Sequence, residues 1–237
     1  MYRSLDAARI VETAEALQKR VSERFPGSGL GRLSAELLQV TREAAALSSW
    51  LGKPHLLVRA GVGACVVAVA AVLFGACVSL HLRWSLSTVT ELIQAVESGV
   101  NDLIFLGVAV FFLVTWEGRR KRARALKALH QLRSMAHIVD MHQLTKDPER
   151  VARAGPDTPS SPKRQMSPFE LMRYLDYCSE SLSVISKVAA LYVQDFDDPV
   201  TLGAVNEVEN LTAGLSRKVW QKIMILDRMA EGADGGK

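Results

Sequence analysis

The sequence lacks the local motifs by which common enzyme classes are recognised. It has no glycine-rich phosphate loop, no nucleophile elbow and no HExxH pair, which are typical of nucleotide-binding proteins, hydrolases and zinc proteases. Cysteine is scarce, with 3 residues in 237, and neither a CxxC pair nor a zinc-type Cys/His spacing occurs. Cys65 and Cys77 would lie about 18 Å apart on one helix, too far for a disulfide. We therefore predict no catalytic activity and no cofactor.

Acidic and basic side chains are absent from the whole run Ala60–Leu80. As a helix, with about 1.5 Å of rise per residue, this run would be about 31 Å long, which matches the hydrocarbon core of a bilayer. It begins too far from the first residue to be the core of a secretory signal peptide. We interpret it as a transmembrane helix, and small residues four apart, such as Ala64 and Ala68, would let another helix approach it closely.

Proline is absent from residues 86–116, so one helix can run through this stretch. Its most apolar part, Leu103–Trp116, would be about 21 Å long, which is short of a full span. An extension back to Val96 supplies the missing length but brings Glu97 and Asp102 towards the membrane. We interpret the stretch as a second transmembrane helix that starts near Val96 or near Leu103. The rival interpretation is a buried hydrophobic helix.

The two acids near the start of this second run have two interpretations. If the helix enters the membrane at Val96, Glu97 and Asp102 line the mouth of an oligomer's pore or a proton path, since acids at membrane depth are often functional. If it enters at Leu103, they mark the outer boundary of the span. The sequence favours the boundary interpretation.

Charges are distributed unevenly beside the two runs. Lys53 and Arg59 precede the first run, whereas residues 81–102 between the runs hold one arginine against three acids. The segment after the second run is strongly basic and contains Arg119, Arg120, Lys121, Arg122, Arg124 and Lys127. Because positively charged flanks stay on the cytoplasmic side, both termini are predicted to be cytoplasmic, with a short loop outside. The expected location is the plasma or cell membrane.

This basic segment has three interpretations. It sets the topology alone, or its side chains also bind anionic lipid headgroups, where each basic residue contributes about 1 kcal/mol. Nucleic acid is the weakest interpretation, because no aromatic side chains interleave with the basic residues and the adjacent span already explains their position. We therefore predict topology and lipid contact, and no nucleic-acid partner.

Apolar residues recur at spacings of three and four in the rest of the chain, which indicates amphipathic helices. One pair of helices, residues 4–25 and 30–51, flanks the breaking sequence Pro26–Gly29, and a second pair flanks Asp197–Pro199. Because both breaks are short, each pair is predicted to form an antiparallel hairpin, the first of which packs on itself or on a copy. The hairpins are predicted to associate with each other or across copies into a membrane-anchored helical bundle. The sequence Ser167–Glu170 predicts a capping box at the start of the second pair, and Asp198 is the predicted cap of the last helix.

The predicted fold is therefore all-α, without a β-strand pattern or an internal repeat. It consists of a two-span transmembrane helical hairpin between two cytoplasmic helical hairpins. The narrow apolar faces of the cytoplasmic helices, called seams here, resemble those of coiled coils. The predicted segments are an N-terminal cytoplasmic hairpin at 1–55, the transmembrane hairpin at 56–117 with spans at about 60–80 and 97–116 and an external loop at 81–96, a basic juxtamembrane helix at 118–145, a flexible Pro/Ser linker at 146–168, a C-terminal cytoplasmic hairpin at 169–229 and a disordered tail at 230–237.

A weak candidate for a metal site lies in the basic helix. His137 and Asp140 are three residues apart, so they are neighbours on a helix, and His130 shares their face. His142 lies about 140° around the helix from His137, so the four side chains cannot converge on one ion, whereas a zinc site needs three or four ligands. We favour a His–Asp hydrogen bond that holds this helix against a neighbour.

These observations support two functional hypotheses. The first is a non-enzymatic, membrane-anchored scaffold or adaptor whose seams bind copies of the chain or partner proteins on the cytoplasmic face. The second is a small oligomeric pore or channel-like effector that is gated by its cytoplasmic helices. In both, the expected partners are the lipid bilayer and either further copies or another protein, and no small-molecule substrate is predicted.

Overall fold

The computed structural model describes residues 4–53, 56–82, 89–148, 159–160 and 166–234. Within these residues the chain is all-α, without β-strands, as predicted. The helices are α1 (Ala7–Arg24), α2 (Gly29–Gly52), α3 (Leu56–Leu82), α4 (Val89–Leu144), α5 (Pro168–Gln194) and α6 (Pro199–Asp234). The predicted external loop, linker and tail lie partly outside the described residues.

The chain divides into two compact units, and α4 contributes to both. The first unit comprises residues 1–52 and 124–237, and the second comprises residues 53–123. The first unit is therefore built from the segments on either side of the predicted transmembrane hairpin. Its single hydrophobic core joins α1 and α2 to α5, α6 and the last part of α4.

Side-chain caps explain where two helices of the first unit begin. The predicted capping box is present at α5, where the Ser167 hydroxyl accepts a hydrogen bond from the Glu170 amide at 3.2 Å and the Glu170 carboxylate accepts one from the Ser167 amide at 2.7 Å. Asp198 caps α6, as predicted, by accepting a hydrogen bond from the Thr201 amide at 2.8 Å. Each cap satisfies an amide that has no partner within its own helix.

The apolar seams of these helices are buried together in the core of the first unit. Leu37 of α2 and Leu182 of α5 are each 1% exposed, and Val219 of α6 is fully buried. Helices α1 and α5 are tied by Arg20, whose guanidinium donates to the Glu180 carboxylate at 3.1 Å. The seams therefore contact one another within one chain.

The last part of α4 completes this core through small side chains. Ala125, Ala128 and Ala136 are buried beside Leu132 and Val139. Alanine permits a close approach between helices but contributes little to an amphipathic pattern. This segment is the predicted basic juxtamembrane helix at 118–145, and large side chains such as Leu129 and Met135 are buried along with these alanines.

Helices α2 and α4 pack antiparallel in the first unit. Arg124 of α4 lies over the ring of Trp50, with 4.5 Å between the guanidinium carbon and the ring centroid. At the opposite end, His142 packs on Gly29, where an added methyl group would collide with the imidazole ring. The chain leaves this unit after Gly52 and re-enters it at Arg124, so both connections lie at the same end of the bundle.

In the second unit, α3 and the first part of α4 expose large apolar side chains. Phe74 of α3 is 72% exposed, and Phe105 of α4 is 74% exposed. Among the described residues, one helix is long and apolar enough to cross a membrane, as judged by length and composition. It is α4, where an 18-residue stretch within Val96–Leu144 has a mean hydropathy of 1.9 and none of that stretch is buried.

The structure supports the second predicted span more directly than the first. The second span lies within this candidate membrane-crossing helix. Helix α3 covers the predicted first span, but its described apolar stretch is the shorter segment Ala60–Val72, and several side chains between Leu73 and Leu82 lie outside the described residues. The two-span hairpin therefore stays a prediction. Helix α4 begins at Val89, within the predicted external loop at 81–96, so the helix starts before the predicted second span.

Replacement of Leu37 by alanine tests the buried seam. Leu37 is 1% exposed, and loss of a buried leucine side chain lowers the free energy of unfolding by about 2–5 kcal/mol. We expect the full chain in detergent to melt at a clearly lower temperature, measured by far-UV circular dichroism. Leu202→Ala is the matched control, because Leu202 is 47% exposed and should contribute less than about 0.5 kcal/mol. Equal shifts for the two variants would contradict the observed packing.

Candidate functional site in the apolar hairpin

Two contacts show how α3 and α4 lie beside each other in the second unit. The Lys121 ammonium donates a hydrogen bond to the Lys53 carbonyl oxygen at 2.8 Å. Farther along, the two helices line one groove of about 290 Å³, formed by Ala68, Val69 and Val72 of α3 and by Asp102, Leu103 and Leu106 of α4. The helices therefore run antiparallel, with Asp102 level with the turn Val69–Val72.

Asp102 is thereby placed inside the predicted first span rather than level with its end. Val72 is eight residues, about 12 Å of helix, from Leu80 and twelve residues, about 18 Å, from Ala60. The Asp102 side chain is exposed, and the other residues named as lining the groove are apolar. This position favours the interpretation in which α4 enters the membrane near Val96, and it makes Asp102 the leading candidate for a functional residue.

The length of the apolar stretch leads to the same interpretation. Leu103–Trp116 alone would span about 21 Å, against about 30 Å of hydrocarbon, and Glu117 with the basic run prevents an extension beyond Trp116. A membrane-crossing stretch of α4 must therefore include Asp102. Glu97 is also exposed, and it lies five residues, about 7.5 Å, nearer the start of α4.

Lys121 holds the base of the hairpin together. Its side chain is 8% exposed, and besides the Lys53 carbonyl it contacts the Glu117 carboxylate at 2.9 Å. Lys121 was predicted to contribute to topology and lipid contact, and this structural role was not predicted. The signal was present, because Glu117 and Lys121 are four residues apart and share one face of a helix.

The other members of the basic run have different surroundings. Arg119 and Arg120 are exposed directly after the apolar stretch, and Arg122 is half-buried. In the first unit, Arg124 stacks on Trp50, and Lys127 is exposed. The run therefore combines structural residues with side chains that remain available for an anionic surface.

The structure does not pair the two weak candidates for metal ligands, His137 and Asp140. His137 is exposed, and Asp140 accepts a hydrogen bond from the Gln143 amide rather than from His137. Within the described part of the chain, no group of three or more His, Cys, Asp and Glu side chains is placed to hold a metal ion. His142 instead packs on the start of α2 at Gly29.

Replacement of Lys121 by methionine tests the base of the hairpin. The variant loses the hydrogen bond to Lys53 and the ion pair with Glu117, so the free energy of unfolding should fall by about 1–3 kcal/mol. The measurement is the melting temperature of the full chain in detergent, followed by tryptophan fluorescence. Arg120→Met removes the same charge from an exposed neighbour and should shift the melting temperature much less. A larger effect of Arg120→Met would contradict the assignment.

The stability of the first unit should depend on pH through His142. Burial, together with nearby Arg32 and Lys146, lowers the pKa of this imidazole. The folded state therefore binds the proton more weakly than the unfolded state, whose histidine pKa is about 6.5. The contribution of His142 is fully present above that pH and is lost as the pH falls through the lowered pKa.

We expect the melting temperature to fall between about pH 7 and pH 5, and His142→Gln to reduce this dependence. His137→Gln, which makes the same substitution at an exposed histidine on the same helix, is the matched control. Identical profiles for wild type and His142→Gln would refute the assignment.

Comparison of the chain with protein-family models, with curated proteins and with solved structures finds no match in any of the three. A function for this chain therefore has to be inferred from its own residues and their positions.

Proposed function

We propose that the protein is a two-span membrane protein, with both termini in the cytoplasm, whose hairpins associate with those of other copies into a small ion-conducting assembly lined by Asp102. The observation that carries this proposal is the place of Asp102 in an apolar groove, level with the turn Val69–Val72 inside the predicted first span. The helical bundle of residues 1–52 and 124–237 is then the cytoplasmic part.

The surroundings of Asp102 supply the reason for association. An aspartate at the centre of an inserted helix costs about 2.5–3.5 kcal/mol on insertion scales. Within one copy, the groove offers this carboxylate apolar neighbours such as Ala68, Val72 and Leu106. Several hairpins with their grooves turned inward would surround each carboxylate with water and with Asp102 of the other copies. Rings of acidic side chains of this kind select cations, so cations are the expected permeant ions.

Small side chains on α3 support close contact between hairpins. Ala64 and Ala68 lie one turn apart, and both are exposed. In lipid, helices associate through van der Waals packing, which small residues favour because they let the backbones approach. Ala68 also lines the Asp102 groove, so these alanines would let neighbouring copies pack closely at the rim of the proposed pore.

The charges support the proposed orientation. Arg119 and Arg120 are exposed after the apolar stretch of α4, whereas Glu97 is exposed near its other end. Because basic flanks are retained in the cytoplasm, the end of α4 that carries the two arginines is the cytoplasmic one. The remaining residues of α4 then continue on that side.

A scaffold or adaptor is the second candidate, and an exposed patch on α6 favours it. The seams that the sequence analysis assigned to partners are buried within the chain, so a partner would need another surface. Trp220 and Met224 lie one turn apart on α6 and are 56% and 47% exposed, and tryptophan is a frequent anchor in protein interfaces. A scaffold would bind a cytoplasmic partner there and leave membrane conductance unchanged.

Asp102→Asn tests the pore. The amide keeps the size of the side chain but removes its charge, so liposomes reconstituted with the variant should show a several-fold lower preference for cations over anions. The measurement is the reversal potential under a salt gradient. Glu97→Gln removes the same charge nearer the start of α4 and should change the preference less.

The two candidates predict different results for the unmodified chain. Conductance together with crosslinked oligomers in detergent supports the pore. Purification of a stoichiometric soluble partner, lost in Trp220→Ala and accompanied by no conductance, supports the scaffold. A monomer without a partner would count against both.

A further inference from the structure

A second groove lies between α2 and α4 in the first unit. Its volume is about 290 Å³, and its lining includes Val40 and Leu47 of α2, Arg124, Lys127 and Gln131 of α4, and Tyr192 of α5. Arg124 and Lys127 belong to the basic run. The groove therefore combines two cations with an apolar wall and a tyrosine.

Tyr192 is a buried residue that lines this groove. The residue is 2% exposed, and its hydroxyl has no hydrogen-bond partner among the described residues. Burial, with a smaller effect from Glu43, raises the pKa of Tyr192, which keeps the hydroxyl protonated as a donor. A buried hydroxyl in this state is stabilised by an acceptor placed in the groove.

The two cations stand along one face of α4. Lys127 follows Arg124 by three residues and precedes Gln131 by four, so the three side chains are neighbours on the helix. The Arg124 guanidinium lies 4.5 Å from the centroid of the Trp50 ring, and this stacking restricts its orientation. An oriented guanidinium suits a phosphate, because its N–H groups match the phosphate oxygens in pairs.

Glu43 also lines the groove, on the α2 side. Its carboxylate accepts a hydrogen bond from the Gln39 amide at 2.9 Å, which engages one of its oxygens. The groove still carries two cations against one acid. An anion that also bears a hydroxyl group would meet the Glu43 carboxylate as an acceptor rather than as a repelling charge.

We propose that this groove binds a phosphate monoester, with Arg124 and Lys127 as cationic ligands and the Tyr192 hydroxyl as a further donor from its floor. Val40 and Leu47 then contact the carbon part of the ester. The same chemistry occurs in an anionic lipid headgroup and in a soluble phosphate ester. This site goes beyond the proposed pore and does not depend on it.

Isothermal titration calorimetry on the full chain in detergent tests the site. The probes are dihexanoyl phosphatidic acid, glycerol 3-phosphate and dihexanoyl phosphatidylcholine, which has no monoester phosphate. Saturable binding of either monoester, without binding of phosphatidylcholine, supports the proposal. Binding of phosphatidic acid alone identifies a lipid as the source, and equal binding of glycerol 3-phosphate identifies a soluble ester. Binding of neither monoester overturns the proposal.

Three variants distinguish binding in this groove from attraction to the basic run as a whole. Tyr192→Phe keeps the buried ring and removes the hydroxyl, so affinity should fall by about tenfold. The double variant Arg124→Gln/Lys127→Gln should lower it by about a hundredfold. The matched control Arg119→Gln/Arg120→Gln removes the same charge outside the groove and should change affinity by less than about twofold.

Two results would overturn the site. One is an equal loss of affinity in both double variants, which would show attraction by the basic run as a whole. The other is unchanged affinity in Tyr192→Phe, provided that this variant melts within a few degrees of wild type.

Discussion

Helix α4 changes from an exposed apolar surface to a face buried in a protein core, and the arrangement of this chain depends on that change. Up to Trp116 the helix exposes large apolar side chains, and from Ala125 onwards one face of it is buried in a protein core. Two cations lie at this change and are held by different means. Lys121 is held by the Lys53 carbonyl in the second unit, and Arg124 is held by the Trp50 ring in the first. Both partners belong to the end of α2 or to the residues directly after it.

Periodicity and local signals were enough to predict the helices and most of their ends. The capping box at Ser167 and the cap at Asp198 depend on neighbouring residues alone, so a sequence can show them. The partner of each seam was not predictable in the same way. A 3–4 pattern shows that a face is apolar, but it does not show whether the covering helix belongs to the same chain or to a copy. Here the same chain covers it, and the alanine-rich part of α4 supplies one of the covering surfaces.

For the candidate sites, too, the sequence showed which residues are neighbours along the chain but not which distant residues they contact. The acid at position 102 was visible in the sequence, but its depth depends on the residue that lies opposite, and that contact joins segments thirty or more residues apart. The Glu117–Lys121 pair was visible as a spacing, but its hydrogen bond to Lys53 was not. Tyr192 follows the apolar spacing of α5, and nothing local distinguishes a tyrosine that lines a groove from one that is fully enclosed. Contacts between residues far apart in the sequence could not be predicted, whereas weak helix propensities were not the limiting factor.

The assembly of one core from both ends of the chain has a consequence for biosynthesis. During translation, α1 and α2 emerge before the hairpin segment and expose leucines whose partners on α4, α5 and α6 are made only after it. In a chain of the proposed topology, these partners reach the same compartment only if both apolar helices have crossed the bilayer. A hairpin inserted with one crossing would leave the two halves on opposite sides, each with an unsatisfied hydrophobic surface that chaperones and proteases recognise. The bundle would then act as a check on membrane insertion, because a folded core forms only in correctly inserted chains.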